Sequence, residues 1–132
     1  MSTRVFRVKP NAELLTAIKN FCDKNKITSA VIVGIIGSLK NVELGFLKKL
    51  PGKYVTRKFS GPLEIVCAQG SVAKCGDELV VHVHIQVSNE KKSVGGHLVR
   101  GEIFSTAEVV LQKLDFQLER KLDNYTGLKE LK

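Results

Sequence analysis

The sequence predicts an α/β (α+β) fold: a mainly antiparallel, twisted sheet of about seven strands with one principal helix packed on it. Three observations carry this. One segment, residues 12–25, has helical periodicity. Most of the remainder is short runs rich in Val, Ile and Leu, separated by turn residues. The order opens β-α-β and then continues strand after strand at short spacing.

Residues 3–8 alternate, which suits an opening strand. Lys9-Pro10-Asn11 breaks it, because Pro10 cannot continue a ladder and Asn11 can cap a helix. Leu14, Leu15, Ile18, Phe21 and Cys22 then fall on one helical face, with Glu13 in the first turn and Lys24 and Lys26 at the end. Residues 27–36 are apolar on both faces, as in a central strand. Residues 42–50 and 53–60 read as two strands joined at Pro51-Gly52. Gly61-Pro62 makes another break before a strand at 63–72. A tight turn at 74–77 leads to a strand at 79–87, and a polar loop at 88–93 leads to 94–104. Residues 105–108 resemble a helix start, but Val109-Val110-Leu111 and the alternation of Leu114, Phe116 and Leu118 favour two further strands. Residues 124–132 read as irregular.

The length of 132 residues and the ordinary fractions of hydrophobic (43%) and charged (26%) residues predict one domain over residues 1–132 with a real core. No apolar run approaches the roughly 20 residues of a membrane helix. The longest, 30–36, contains Gly34, and residues 1–7 hold no apolar signal core. A cytoplasmic protein without membrane partners is expected. Cys22, Cys67 and Cys75 are odd in number and widely spaced, which suits reduced thiols, with Cys67 a small core residue; a Cys67–Cys75 bridge or a thiolate ligand is the alternative. The net charge of +8 suits weak association with nucleic acid. Its local excess, Lys40, Lys48, Lys49, Lys53, Arg57 and Lys58 against Glu43, is equally the pattern of a solvated hairpin.

The chemistry concentrates in the three histidines. In Val81-His82-Val83-His84-Ile85, positions i and i+2 of a strand share one face, so His82 and His84 stand about 6.6 Å apart at Cα. If 79–87 and 94–103 form a hairpin, His97 lies near His84. Three imidazoles then converge, and three protein ligands leave an open position, as in catalytic zinc sites. Imidazole also suits copper, iron or nickel. Isolated strand histidines are otherwise surface or hydrogen-bonded core groups. Glu64 either orients a histidine or acts as a base near the site, or it pairs with a nearby cation. Gly95 and Gly96 either permit close backbone approach or mark a bulge. Arg100 either pairs with Glu102 or meets an anionic ligand at a subunit seam. Ser38 and Lys40 after Gly37 lack the spacing of a P-loop.

The run Gly95-Gly96-His97-Leu98-Val99-Arg100-Gly101-Glu102-Ile103-Phe104, following His82-x-His84, resembles the PPC (plants and prokaryotes conserved) domain. Gly34-x-x-Gly37-Ser38, Gly61-Pro62-Leu63-Glu64-Ile65 and Thr126-Gly127-Leu128 extend the resemblance over nearly the whole chain. It implies a compact fold with an antiparallel sheet, association as homotrimers, and a metal-binding trio at His82, His84 and His97. Plant members carry AT-hooks, Arg-Gly-Arg-Pro segments that contact DNA. No such segment occurs here, so the resemblance is to the single-domain prokaryotic type, whose role is either a metal-binding one or that of a DNA-associated assembly module.

Overall fold

A computed structural model describes residues 1–132. The chain runs β1 (Ser2–Val8), α1 (Leu14–Lys24), β2 (Ala30–Lys49), β3 (Lys53–Cys75), β4 (Glu78–Ser88), β5 (Ser93–Lys113), β6 (Arg120–Leu122) and β7 (Lys129–Leu131). The fold is α+β, as the sequence predicts, with every strand pairing antiparallel. The seven strands, however, form two sheets. Five long ones take the order β1-β5-β2-β3-β4, while β6 and β7 make a separate pair. β4 also pairs with the start of β5, so the large sheet curls until two strands distant in its order meet.

The expected breaks inside the sheet are not breaks. Residues 27–36 and 42–50 merge into the single strand β2, and 53–60 and 63–72 merge into β3. Gly37 and Gly61 explain why. A Cβ on Gly37 would fall 2.0 Å from the Thr106 oxygen, and one on Gly61 would fall 2.3 Å from the Leu39 oxygen. These glycines let neighbouring backbones close in, and the ladder continues through register shifts around residues 37–41. β5 likewise runs unbroken through the ambiguous 105–113. The alternation at 114–118 does not make a strand. That segment crosses the residues just before β2, where the Leu118 amide donates to Ser29 Oγ at 3.0 Å and the Gln117 amide group donates to the Thr28 carbonyl at 3.0 Å.

The helix starts later than expected because Glu13, not Asn11, caps it. The Glu13 carboxylate accepts from the Leu15 and Thr16 amides at 3.1 and 2.8 Å, and also from the Gly101 amide of β5 at 3.0 Å. One carboxylate thus satisfies orphan helix donors and ties the helix to the sheet. Asn11 instead takes a left-handed turn, φ 72°. Leu14, Ile18 and Cys22 are buried against the sheet, and Phe21 stacks on Phe6 with centroids 3.8 Å apart.

The core is one cluster filled by Ile32, Leu39, Leu98, Ile103, Val109 and Leu111 among others. The face of the sheet turned away from the helix leaves Val5, Val33, Ile36 and Phe104 exposed. All three cysteines are free. Cys22 is the core cysteine, its thiol pushed up to about 11 by burial and by Asp23. Cys67 is exposed rather than buried. It lies on the same strand as Cys75, eight residues and roughly 26 Å away, so no bridge joins them. No helix is long and apolar enough to cross a membrane.

Candidate metal centre

The local pattern of β4 aims the histidines. Val83, Ile85 and Val87 are buried in the core, which turns His82 and His84 to the opposite face. The hairpin expected from sequence forms, and its register places His84 directly opposite His97. His82 takes the diagonal position. The ring centroids lie 5.0 Å apart for His82–His84, 4.9 Å for His82–His97 and 5.4 Å for His84–His97. One ring nitrogen from each falls within 4.8 Å of the other two. Donors at the corners of such a triangle stand at most about 2.8 Å from its centre. Small rotations of the rings bring that to the roughly 2.0–2.1 Å of a zinc–nitrogen bond.

Gly95 and Gly96 serve close approach. A Cβ at Gly96 would meet the Phe46 ring at 3.0 Å and the Gly45 oxygen at 3.2 Å, and one at Gly95 would meet the Ile85 oxygen at 3.1 Å. The β4–β5 ladder passes through both without a register shift, so they mark no bulge between these strands. Gly45 opposes His97 on β2, and the Tyr54 ring stands 5.5 Å from the imidazole.

Glu64 is not brought to the histidines. It pairs with Ser88 on β4 and Ser38 on β2, whereas His84 faces Gln69. From Glu64 to Gln69 is five residues, about 17 Å of strand. Its neighbours are Ser88, Asn89 and Glu90, in a different depression. Arg100 does not pair with Glu102 either. The Glu102 carboxylate accepts from Asn41 at 3.0 Å and lies 3.6 Å from Lys40. Ser38 shares a 2.7 Å hydrogen bond with Ser105, which leaves it inside the sheet rather than on a phosphate.

The residue that sequence reasoning missed is Arg120. β6 and β7 fold back beside the histidines, so the tail read as irregular forms one wall of a cleft of about 360 Å³. Arg120 enters from that wall. Its Nη2 donates to Ser71 Oγ at 2.8 Å and lies 3.4 Å from His82 Nδ1, and its Nη1 donates to the Lys129 carbonyl at 2.9 Å. An isolated arginine in a short polar tail carries no periodicity or motif that announces burial.

The electrostatics favour the neutral form at His82 and His97. Burial, then the His97, Arg120 and His84 charges, pushes His82 down to about 4. Burial and then His84 push His97 below its ordinary value. Neutral rings keep a lone pair for coordination at neutral pH. His97 Nδ1 is buried with no hydrogen-bond partner, an unmet polar group of the kind a bound ligand satisfies. The donor set, its spacing and the lowered values of His82 and His97 therefore fit a divalent transition metal.

Fold and site together define a small α+β protein whose curled sheet gathers three imidazoles at one seam. Residues 1–115 match the Plants and Prokaryotes Conserved (PCC) domain, and the chain belongs to that family. It is similar over its full length to the plant- and prokaryote-conserved (PPC) protein of Pyrococcus horikoshii, at 36% identity and TM-score 0.86, covering 94% of that chain. A metal-containing protein from Archaeoglobus fulgidus is 26% identical, with TM-score 0.90, over 99% of this chain and 93% of that one. A candidate DNA-binding protein from Bacteroides thetaiotaomicron shares the fold at TM-score 0.92 and 21% identity, over 98% of this chain and 91% of that one. No curated protein matches.

Proposed function

We propose that residues 1–132 are a single domain that binds a divalent transition metal, zinc by preference, through His82, His84 and His97. The observation that carries this is the meeting of three ring nitrogens within 4.8 Å across the β4–β5 seam. The likeness to a metal-containing archaeal protein supports it. Bound there, the ion would supply Lewis-acid chemistry. The chain's own contribution is to hold three imidazole rings against a rigid ladder and to wall the site with β6 and β7.

The reading extends to assembly as a homotrimer. Val5, Val33, Ile36 and Phe104 expose apolar surface on the face that α1 does not cover, and partner copies would bury it. Free thiols at Cys22, Cys67 and Cys75 suit a reducing cytoplasm. Nucleic-acid association, if measured, follows from the +8 charge, with Lys48, Lys49, Lys53, Arg57 and Lys58 exposed around the β2–β3 turn.

The test is metal content by mass spectrometry on untagged protein beside a His82→Ala/His84→Ala double variant. About one metal per chain, lost in the variant, is expected for a three-nitrogen site. Wild-type protein that carries no metal and takes up none on titration would refute the reading.

A further inference from the structure

We propose that the cleft beside the histidines is built to hold a small carboxylate, with the Arg120 guanidinium as its anchor.

Arg120 is a buried cation without an anion. Its side chain is sunk among β3, β6 and β7, and the residue is 8% exposed. It takes part in none of the chain's four ion pairs. Its hydrogen-bond partners, the Ser71 hydroxyl, the Lys129 carbonyl and the His82 Nδ1, carry no negative charge, and its Nε–H is buried with no acceptor at all. A buried guanidinium left this way is costly unless something else neutralises it. It also stands 3.4 Å from His82, so it adds positive potential where a divalent ion would add more.

The other charged groups on the cleft do not solve this. Lys129 turns its ammonium to Glu78 at 2.9 Å, which accounts for both charges. Glu130 lines the cleft but lies beyond ion-pair distance from Arg120. A ligand anion is the remaining partner. The cleft, about 360 Å³, is at the small end of small-molecule sites. The planar guanidinium fork matches the two oxygens of a carboxylate, and Tyr54, Val80, Val81 and Leu128 in the lining suit the carbon skeleton of a small one. Because the guanidinium sits beside His82, a carboxylate held there directs its neighbouring carbon and any oxygen on it toward the trio. The class is therefore a small carboxylate with an adjacent oxygen. The adjacent-oxygen part rests on the metal reading; the carboxylate part does not.

The experiment uses lactate and its neutral counterpart lactamide as probes on zinc-loaded, full-length protein. Binding is read by calorimetry and by the ¹⁵N NMR signal of Arg120 Nε. Lactate is expected to bind saturably and move that signal, with lactamide at least tenfold weaker, roughly the worth of a charged hydrogen bond. Arg120→Gln should weaken lactate binding by about the same factor with its zinc retained. Arg120→Lys keeps the charge at a different reach and serves if the glutamine variant does not fold; it should bind lactate more weakly than wild type. Lactate that binds no better than lactamide, or equally to wild type and variant, overturns the proposal. Zinc-free protein separates the two readings. A chain that takes no zinc yet shifts its Arg120 signal with lactate sinks the metal reading and keeps this one. Zinc uptake with an unmoved Arg120 signal does the reverse.

Discussion

His84 stands directly across the β4–β5 ladder from His97, and that pairing brings the two histidines of β4 to a third imidazole thirteen positions after His84. The two partners differ in surroundings. His84 is exposed, whereas His97 is half-buried beside Tyr54. Replacing either with Ala should weaken zinc binding by more than about 100-fold, beyond the loss typical of outer-shell changes. The metal-free proteins should separate: His84→Ala stays within about 0.5 kcal/mol of wild type, and His97→Ala loses about 1 kcal/mol of packing. Calorimetric zinc titration and denaturant melts of chelated protein check both.

Acid should destabilise the metal-free protein. His82 is held down to about 4, by burial first, against an ordinary value of 6.5. Above 6.5 the ring is neutral folded or unfolded, so it exerts no pH-dependent effect. Below 6.5 the unfolded chain takes up a proton that the folded ring refuses until about 4, and stability falls across that window. His97 shifts in the same direction. With allowance for the half-buried ring, Tm should drop by roughly 3–6 °C between pH 7 and pH 4.5. A His82→Asn variant should show a visibly flatter dependence; identical slopes would contradict the assignment.

Metal should stabilise the fold by mass action. Zinc at about 100 times its dissociation constant adds about 2.7 kcal/mol, which is on the order of 8–12 °C in Tm for a chain this size. Thermal melts with zinc and with chelator should differ by that amount in wild type and coincide in the His82→Ala/His84→Ala variant.

Gly70 lies behind the site. A Cβ there would fall 2.1 Å from the His82 carbonyl oxygen. Gly70→Ala must push β3 away from β4, and should cost about 1–3 kcal/mol while also weakening zinc binding. A variant with unchanged melting and unchanged zinc affinity would show that the two backbones are free to separate there.

Ile36 is 66% exposed on the uncovered face of the sheet. Ile36→Arg should convert a trimer into monomers without unfolding the core, as read by light scattering and circular dichroism. Wild-type protein that is monomeric at high concentration would remove the trimer from the reading.

Much of the fold was legible in local pattern. The apolar spacing of Leu14, Ile18 and Cys22 marked the helix, and Val81-His82-Val83-His84-Ile85 marked a strand with both histidines on one face. Strand ends were misjudged where glycines looked like punctuation. Gly37 and Gly61 instead permit close contact with backbones that are distant in sequence, which local pattern does not encode.

The sequence by itself determined the strand-rich class, the single principal helix and the identity of the three histidines, because side-chain alternation and periodicity are properties of consecutive residues. Only the tertiary structure decided that β4 closes onto β5 in the register that opposes His84 with His97, that Glu64 lies five residues up the strand from the site, and that Arg120 arrives beside it. Those outcomes depend on sheet curl, ladder register and the folding-back of the tail. Each is fixed by which residues of different segments meet, and periodicity within one segment does not encode that register.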